Sequence, residues 1–262
     1  MENLQSLFKY SCTESTDAMV EIKLFKDYDL SGYTVIEGFP SAGLVGPMAA
    51  SYMIDKLKPE YIGYIASQRF PPIAAIHNAV PMSPARLYKS DKFKIVIIMS
   101  EFVIPVDAVS DVAMEIISFC KRNKIKQIFS ISGMAIKKPK DNLYLIGPQD
   151  MLKKAVSSGM KPINEGAVAG VNAIILVNAE QYGIKAANVL VEVDPAITDP
   201  KYAELAIQGL QKLMNLDIDL DELDKEAKLV EAKIRDMLKN VKDTHEQYNS
   251  TAESTSGPSM YA

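Results

Sequence analysis

Short apolar runs alternate with longer stretches of helical spacing along most of this chain. Seven runs are rich in β-branched and aromatic residues, and they predict strands over residues 19–25, 33–38, 61–66, 73–80, 94–100, 127–132 and 188–193. The stretches between them predict helices over residues 44–57, 108–123, 149–158, 168–182 and 202–214. Because strands and helices alternate, the pattern predicts an α/β fold over residues 1–216, a three-layer sandwich with a mostly parallel sheet.

The pattern changes at Asp217. Apolar residues then recur at alternating spacings of 3 and 4 among Asp, Glu and Lys, and this predicts an amphipathic helix over residues 217–242. The spacing is equally compatible with a helix that lies on its own domain and with a seam for self-association. In the second interpretation, the residues that join the copies are Leu220, Leu223, Val230, Ile234, Met237 and Val241.

The last segment, residues 243–262, is expected to be a flexible, solvated tail. Between Thr244 and Ser259 it has no Leu, Ile, Val or Phe, so it cannot bury enough apolar surface to offset the entropy lost on ordering. The sequence then ends in Met260, Tyr261 and Ala262. An alkyl group, an aromatic ring and a terminal carboxylate on a tether are the features of a peptide ligand. The alternative is a chance combination of residues at the chain end.

Composition and charge narrow the range of functions. The 262 residues carry a net charge of −4 with scattered Lys and Arg, so nucleic acid is not an expected partner. Cys12, Cys120, His77 and His245 lack metal-ligand spacing, and neither a metal nor another cofactor is expected. No apolar run approaches the ~20 residues of a membrane span, and no signal-peptide pattern opens the chain. We therefore expect a cytoplasmic protein without a membrane partner.

The glycine-rich turn at residues 38–46 follows a strand and opens a helix, which is where a phosphate-binding loop would lie. It lacks the dinucleotide-binding glycine spacing, and Leu44 and Val45 replace the lysine and hydroxyl of a P-loop. We interpret it as a tight turn, and His77 as a hydrogen-bonded core residue. No catalytic residue is predicted. The alternative is a small-molecule-binding or phosphorylase-like enzyme that uses this turn together with residues 165–172.

Several motifs occur in a specific order along the chain: Gly38-Phe39-Pro40, Gly43-Leu44-Val45-Gly46, Gln68-Arg69-Phe70-Pro71-Pro72, Gly133-Met134-Ala135, Gly170-Val171-Asn172-Ala173 and Leu190-Val191-Glu192-Val193-Asp194-Pro195. In this order the chain resembles the proteasome assembly chaperone family, in particular its archaeal members. It departs from the family pattern at Ser41-Ala42, where a glycine is common, and at Asp194-Pro195, where Thr-His-Pro is frequent.

The resemblance implies a phosphorylase-like α/β sheet, no enzymatic activity and a homo-oligomer. Some members of the family carry a C-terminal hydrophobic-Tyr-X motif that docks between α-subunits of the proteasome core particle, and Met260, Tyr261 and Ala262 match that motif. The resemblance therefore implies an ATP-independent assembly chaperone or activator whose partners are the α-subunits of the core particle and other copies of this chain.

Overall fold

A nine-stranded sheet with helices on both faces forms the body of the protein in a computed structural model, which describes residues 20–220. Its strands, together with those of a small separate hairpin, are β1 (Val20–Leu24), β2 (Thr34–Gly38), β3 (Glu60–Ser67), β4 (Ala75–His77), β5 (Val80–Met82), β6 (Ala85–Ser90), β7 (Ile95–Ser100), β8 (Gln127–Ala135), β9 (Leu143–Ile146), β10 (Lys161–Pro162) and β11 (Lys185–Val193). The α-helices are α1 (Val45–Leu57), α2 (Val109–Arg122), α3 (Gln149–Ser157), α4 (Val171–Asn178) and α5 (Pro200–Met214).

The strand order in the large sheet is β1-β3-β6-β7-β2-β8-β11-β9-β10. The central strands β7, β2, β8 and β11 are parallel neighbours. Strands β1, β3 and β6 pair antiparallel on one side, and β9 pairs antiparallel with β11 on the other. The predicted α/β fold, with a large and mostly parallel central sheet, is confirmed, and the antiparallel strands form its flanks.

Two apolar cores lie on opposite faces of the sheet. Helices α1, α3 and α5 cover one face, where Ile36, Ile97 and Val189 are fully buried. Helices α2 and α4 cover the other face, where Val35, Val96 and Ile128 are fully buried. We call these the α1 face and the α2 face. Consecutive residues of one strand thus bury their side chains in different cores, which explains the almost continuous apolar runs in the central strands.

The turn between β2 and α1 is tight because it requires glycine. A Cβ atom on Gly38 would lie 2.6 Å from the carbonyl oxygen of Gly46, and one on Gly46 would lie 2.5 Å from the carbonyl oxygen of Phe39. Both distances are far shorter than a van der Waals contact. The interpretation of residues 38–46 as a tight turn is confirmed, and it brings the start of α1 directly against the end of β2.

Two predicted elements differ from the structure, and three strands were missed. The run at residues 73–80 is not one strand, because Asn78 and Ala79 have φ values of 51° and 64° and form the turn of the hairpin β4–β5. The helix predicted over residues 168–182 begins only at Val171, after Gly170 with a φ of 93°. Strands β6, β9 and β10 were not predicted. Within residues 20–220, no helix is long and apolar enough to cross a membrane.

The chain leaves α5 through Asn215 and continues without helix from residue 216 to 220. The predicted amphipathic helix therefore does not begin at Asp217. Ile218 is buried, and Leu220 packs against the core of the α1 face of its own subunit. The hydroxyl of Tyr52 holds this segment by donating to the carbonyl of Asp219 at 2.9 Å. The other predicted residues of the seam and of the tail lie outside the described residues, namely Leu223, Val230, Ile234, Met237, Val241, Met260, Tyr261 and Ala262.

Candidate functional site

The α2 face of the sheet changes from apolar to polar towards the carboxyl ends of its parallel strands. In register across β2, β8 and β11, one level on this face is formed by Val35, Ile128 and Ala186. Two residues further along each strand, the next level on the same face is formed by Glu37, Ser130 and Asn188. All three are buried. We call Glu37, Ser130 and Asn188 the polar row.

Hydrogen bonds satisfy only part of the polar row. The hydroxyl of Ser132 donates to Asn188 Oδ1 at 3.0 Å, and Asn172 Nδ2 lies 3.5 Å from the same hydroxyl. The backbone N–H of Phe39 donates to Glu37 Oε1 at 2.8 Å. Glu37 Oε2 and Asn188 Nδ2 have no hydrogen-bond partner among residues 20–220. Leaving a buried polar atom unpaired costs about 1–3 kcal/mol, so two such atoms in one row call for a functional explanation.

A cavity of about 680 Å³ lies beside the polar row, and Glu37 is part of its lining. Its walls come from the turn after β2, the end of β8, the loop after β7 and the loop at residues 163–172. Helix α1 leaves β2 over one face of the sheet, whereas α2 connects β7 to β8 over the other face. The connections on the two sides of β2 therefore run over opposite faces, which makes its carboxyl end a topological switch point. Ligands of open α/β sheets bind at such a point, in cavities of this size.

The cavity brings together the turn at residues 38–46 and the segment 165–172. These are the two segments that the alternative interpretation of the sequence, a small-molecule-binding protein or enzyme, selected. Ser41, in the turn at residues 38–46, accepts a hydrogen bond from the backbone N–H of Gly133 at 3.2 Å and lines the cavity. Residues 164–172 line it from the opposite side. Among residues 20–220, the Ser41 hydroxyl is hydrogen-bonded to a backbone N–H, whereas an activated serine nucleophile is paired with a base.

Burial raises the pKa of Glu37 to about 7, against the weaker opposing effect of the Ser130 hydroxyl and the Phe39 N–H. A second buried glutamate on the same face, Glu192, behaves differently. Its carboxylate accepts hydrogen bonds from Lys140 N at 2.6 Å, Asn142 Nδ2 at 2.9 Å and Tyr144 Oη at 2.7 Å. Burial raises the pKa of Glu192 as well, but these donors outweigh it and the net pKa is lowered. The two donors of Glu37, the Ser130 hydroxyl and the Phe39 N–H, do not outweigh burial, and its net pKa is raised.

A buried ion pair supports the adjacent hairpin β4–β5. Arg86 Nη2 lies 2.6 Å from Glu101 Oε1, and His77 Nε2 lies 2.9 Å from the same oxygen. Burial raises the pKa of Glu101, but His77 and Arg86 together outweigh that effect and lower it. The prediction that His77 is hydrogen-bonded in the core is only partly correct, because it pairs with a buried carboxylate but its own side chain is 37% exposed.

Four large apolar side chains of the hairpin and of the loop after β7 are exposed: Ile76, Val80, Val103 and Val106. The first two lie on the hairpin, and the others lie in the loop after β7. We call them the hairpin surface. The exposed fractions of Ile76 and Val106 are 61% and 92%. Exposed apolar side chains are characteristic of surfaces that contact other proteins when they form one patch.

The polar row was missed by the sequence analysis, although a signal for it is present. Glu37 interrupts the apolar strand β2, while Ser130 and Ser132 recur with the period of two that places them on one face of β8. Among residues 20–220, no group of three or more His, Cys, Asp or Glu side chains has the arrangement of a metal site.

A family model and a protein of known sequence each match most of this chain. A model of a family described as the PAC2 family matches residues 35–238, which is most of the chain. A protein of Methanocaldococcus jannaschii, "Uncharacterized protein MJ0106", is 26% identical over 203 residues, 78% of this chain and 84% of that protein.

Solved structures with the same fold come from Pyrococcus furiosus. PbaA, an archaeal homolog of proteasome-assembly chaperone, has a TM-score of 0.77 and 28% identity over 86% of this chain and 99% of its own. PbaB, an archaeal proteasome activator, has a TM-score of 0.70 and 22% identity over 84% of this chain and 99% of its own. At that identity, the PbaB match concerns the fold alone.

Proposed function

The chain belongs to the PAC2 family, and from this premise we propose that it is a proteasome-interacting protein that acts without ATP, as an assembly chaperone, an activator or both. The observation that carries the proposal is the likeness to PbaA over nearly the whole length of PbaA. The hairpin surface supports a role in contacting other proteins, since it exposes apolar area that a partner would cover.

In this proposal, the contact is made by Met260, Tyr261 and Ala262 in pockets between α-subunits of the core particle. The Ala262 carboxylate would pair with a cationic side chain of the pocket. Tyr261 would supply ring packing and a hydroxyl, and the flexible Met260 side chain would fill an apolar niche. One such tail would bind weakly, because three residues bury little area and lose conformational entropy.

Self-association would strengthen this contact. About 20 flexible residues have a root-mean-square span of roughly 25 Å, enough to reach neighbouring pockets from one central body. Several tails on one oligomer would then raise avidity by about 10²–10⁴ without a new contact. We propose that Leu223, Val230 and Ile234, with the rest of the predicted seam, join the copies. Leu220 is used differently, because it packs on its own subunit.

The test is co-sedimentation with purified archaeal core particles, combined with a peptidase assay. The intact protein is compared with a variant that lacks residues 260–262 and with Tyr261→Ala, and we expect both variants to lose binding. Tyr248→Ala is the matched control, because it removes the same side chain from elsewhere in the tail, and it should bind normally. Equal binding by the truncated and intact proteins would refute docking through the tail. The peptidase rate then distinguishes activation from simple attachment.

A further inference from the structure

The carboxyl group of Glu37 is buried but only partly hydrogen-bonded, which is unusual for a residue with a purely structural role. Its side chain is 2% exposed, and one oxygen is fixed by the Phe39 N–H at 2.8 Å. The other oxygen, Oε2, is buried without a hydrogen-bond partner among residues 20–220, and Glu37 belongs to the lining of the cavity of about 680 Å³. The group is therefore held in a defined orientation beside the cavity, and one of its oxygens has no hydrogen-bond partner among the described residues.

We propose that this cavity binds a small organic molecule that donates an N–H hydrogen bond to Glu37 Oε2 and packs an apolar body against the cavity walls. The expected chemical class is an amide, an amidine or an amine carried on an aromatic or aliphatic frame. This inference is independent of the proteasome role, since it involves none of the tail residues and none of the predicted seam.

The polar part of the expected ligand follows from the atoms that face it. A carboxylate oxygen accepts hydrogen bonds, so the complementary group is a donor, and an N–H next to it removes the cost of the unpaired oxygen. When Glu37 is ionised, a ligand that carries an anionic group at this position would place two negative charges together in a buried site, which is unfavourable. The site thus discriminates against anions.

The apolar part of the expected ligand is inferred from the side chains that form the cavity walls. Phe39, Ile104, Val171 and Leu190 line the cavity and present aromatic or aliphatic surface. Burying an apolar ligand surface contributes roughly 25 cal/mol per Å², whereas the polar contacts fix the orientation of the ligand. Asn172 and Ser132, which also line the cavity, extend the hydrogen-bonding edge from Glu37 towards the loop at residues 163–172. Ligands with a single polar edge and an apolar frame fit this distribution.

The experiment is isothermal titration calorimetry of the full chain at about pH 8.5, above the pKa of Glu37, so that its carboxyl group is ionised and only accepts hydrogen bonds. It uses three probes of one shape. Benzamide is a neutral N–H donor, benzamidine is a cationic N–H donor, and benzoate has the same ring without a donor. We expect saturable binding of at least one donor probe, and binding of benzoate that is weaker by about tenfold or more. The comparison of benzamide with benzamidine tells whether the ligand is neutral or charged.

Two variants locate the binding. Glu37→Gln replaces the accepting oxygen by an amide of the same size, and it should weaken the better donor probe by about tenfold or more. Glu180→Gln makes the same chemical change at an exposed position outside the cavity lining, and it should leave the affinity within about twofold. The fold of each variant is checked by its thermal unfolding.

Several results would overturn the proposal. One is the absence of saturable binding by both donor probes, which would mean that Glu37 Oε2 is hydrated and nothing more. Equal affinity for benzoate, or unchanged affinity in Glu37→Gln, would also overturn it. If Glu37→Gln does not fold, the comparison of probes on the wild-type protein decides alone. None of these results bears on the tail, so this inference and the proteasome role fail separately.

Discussion

The two faces of the sheet use the same central strands but are packed differently. On the α1 face, β11 stays apolar to its end through Val189, Val191 and Val193, all fully buried. On the α2 face, the same strand passes from Ala186 to Asn188. The first face is closed by α1, which starts directly at the glycine turn, and by α5. The second face is closed at this edge by the loop that leads into the shorter α4, and there the cavity remains.

This difference indicates that the α1 face mainly contributes stability, whereas the α2 face carries the candidate binding site. Uninterrupted apolar packing on the α1 face contributes the free energy that holds the strands in place. The α2 face then tolerates a row of incompletely satisfied polar groups near the strand ends, and this combination is typical of functional sites. The comparison predicts that equivalent substitutions on the two faces have unequal effects.

The largest effect is expected from a polar residue on the α1 face. Val189 is fully buried, and its Cγ1 would lie 3.2 Å from a Cβ placed on Gly209, so α5 packs tightly against it. Val189→Asn should lower the free energy of unfolding by about 3–5 kcal/mol, because it removes apolar burial and introduces an amide without partners. Urea denaturation measures the change.

The matched control is the adjacent residue of the same strand. Asn188→Val on the α2 face removes an amide whose Nδ2 is already unpaired, so it should change the free energy of unfolding by no more than about 1 kcal/mol. Similar losses for both substitutions would contradict the difference between the two faces.

The second effect is a pH dependence that belongs to the α2 face alone. Burial raises the pKa of Glu37 from 4.5 to about 7, so the folded protein keeps this proton where the unfolded chain has lost it. The free energy of unfolding therefore falls as the pH rises from about 4.5 to about 7. The loss amounts to about 3 kcal/mol at 1.36 kcal/mol per pKa unit, and it stays constant above that range.

Glu37→Gln cannot titrate and should not show this loss. We expect its free energy of unfolding, relative to wild type, to rise by about 3 kcal/mol across that interval. Denaturation at a series of pH values measures the difference, in which all other groups cancel. Glu165→Gln, an exposed carboxyl, is the control and should give a flat difference. A flat difference for Glu37→Gln as well would show that the group is hydrated and not desolvated.

The fold was predictable from the sequence where the apolar residues of an element are consecutive and are buried without the help of distant partners. The runs that predicted β2, β7 and β11 are mostly apolar and buried on both faces of the sheet, and their positions were confirmed within a few residues. Strand β6 was missed because Arg86 and Lys89 make it look polar, and Arg86 is buried only through its pairing with Glu101, 15 residues further on. That pairing depends on strand register and not on the local pattern.

The candidate site was predictable only in part. The turn at residues 38–46 and the loop at residues 165–172 were selected from the sequence, and they do line one cavity. Glu37, Ser130 and Asn188 were missed, because they become neighbours only once β2, β8 and β11 pair in a specific register. The docking role of Met260, Tyr261 and Ala262 and the joining of copies by the predicted seam remain predictions, since these residues lie outside residues 20–220 apart from Leu220.

The smallest effect on the free energy of unfolding is expected from the hydrogen bond between Ser132 and Asn188 on the α2 face. Ser132 Oγ donates to Asn188 Oδ1 at 3.0 Å, and a neutral hydrogen bond of this kind contributes about 1 kcal/mol. Ser132→Ala should therefore lower the free energy of unfolding by about 1 kcal/mol at every pH. Ser157→Ala, at an exposed position in α3, should change it by less than about 0.5 kcal/mol.

A double-mutant cycle assigns this loss to the hydrogen bond itself. In an Asn188→Val background the acceptor of Ser132 is gone, so adding Ser132→Ala should cost little further. The coupling energy between the two positions is expected to be about 1 kcal/mol. Because Val189 and Ser132 belong to different cores, Ser132→Ala should cost the same in Val189→Asn as in wild type. Strong coupling across the sheet would mean that the two faces are one cooperative unit, and that the polar row contributes to stability as well as to binding.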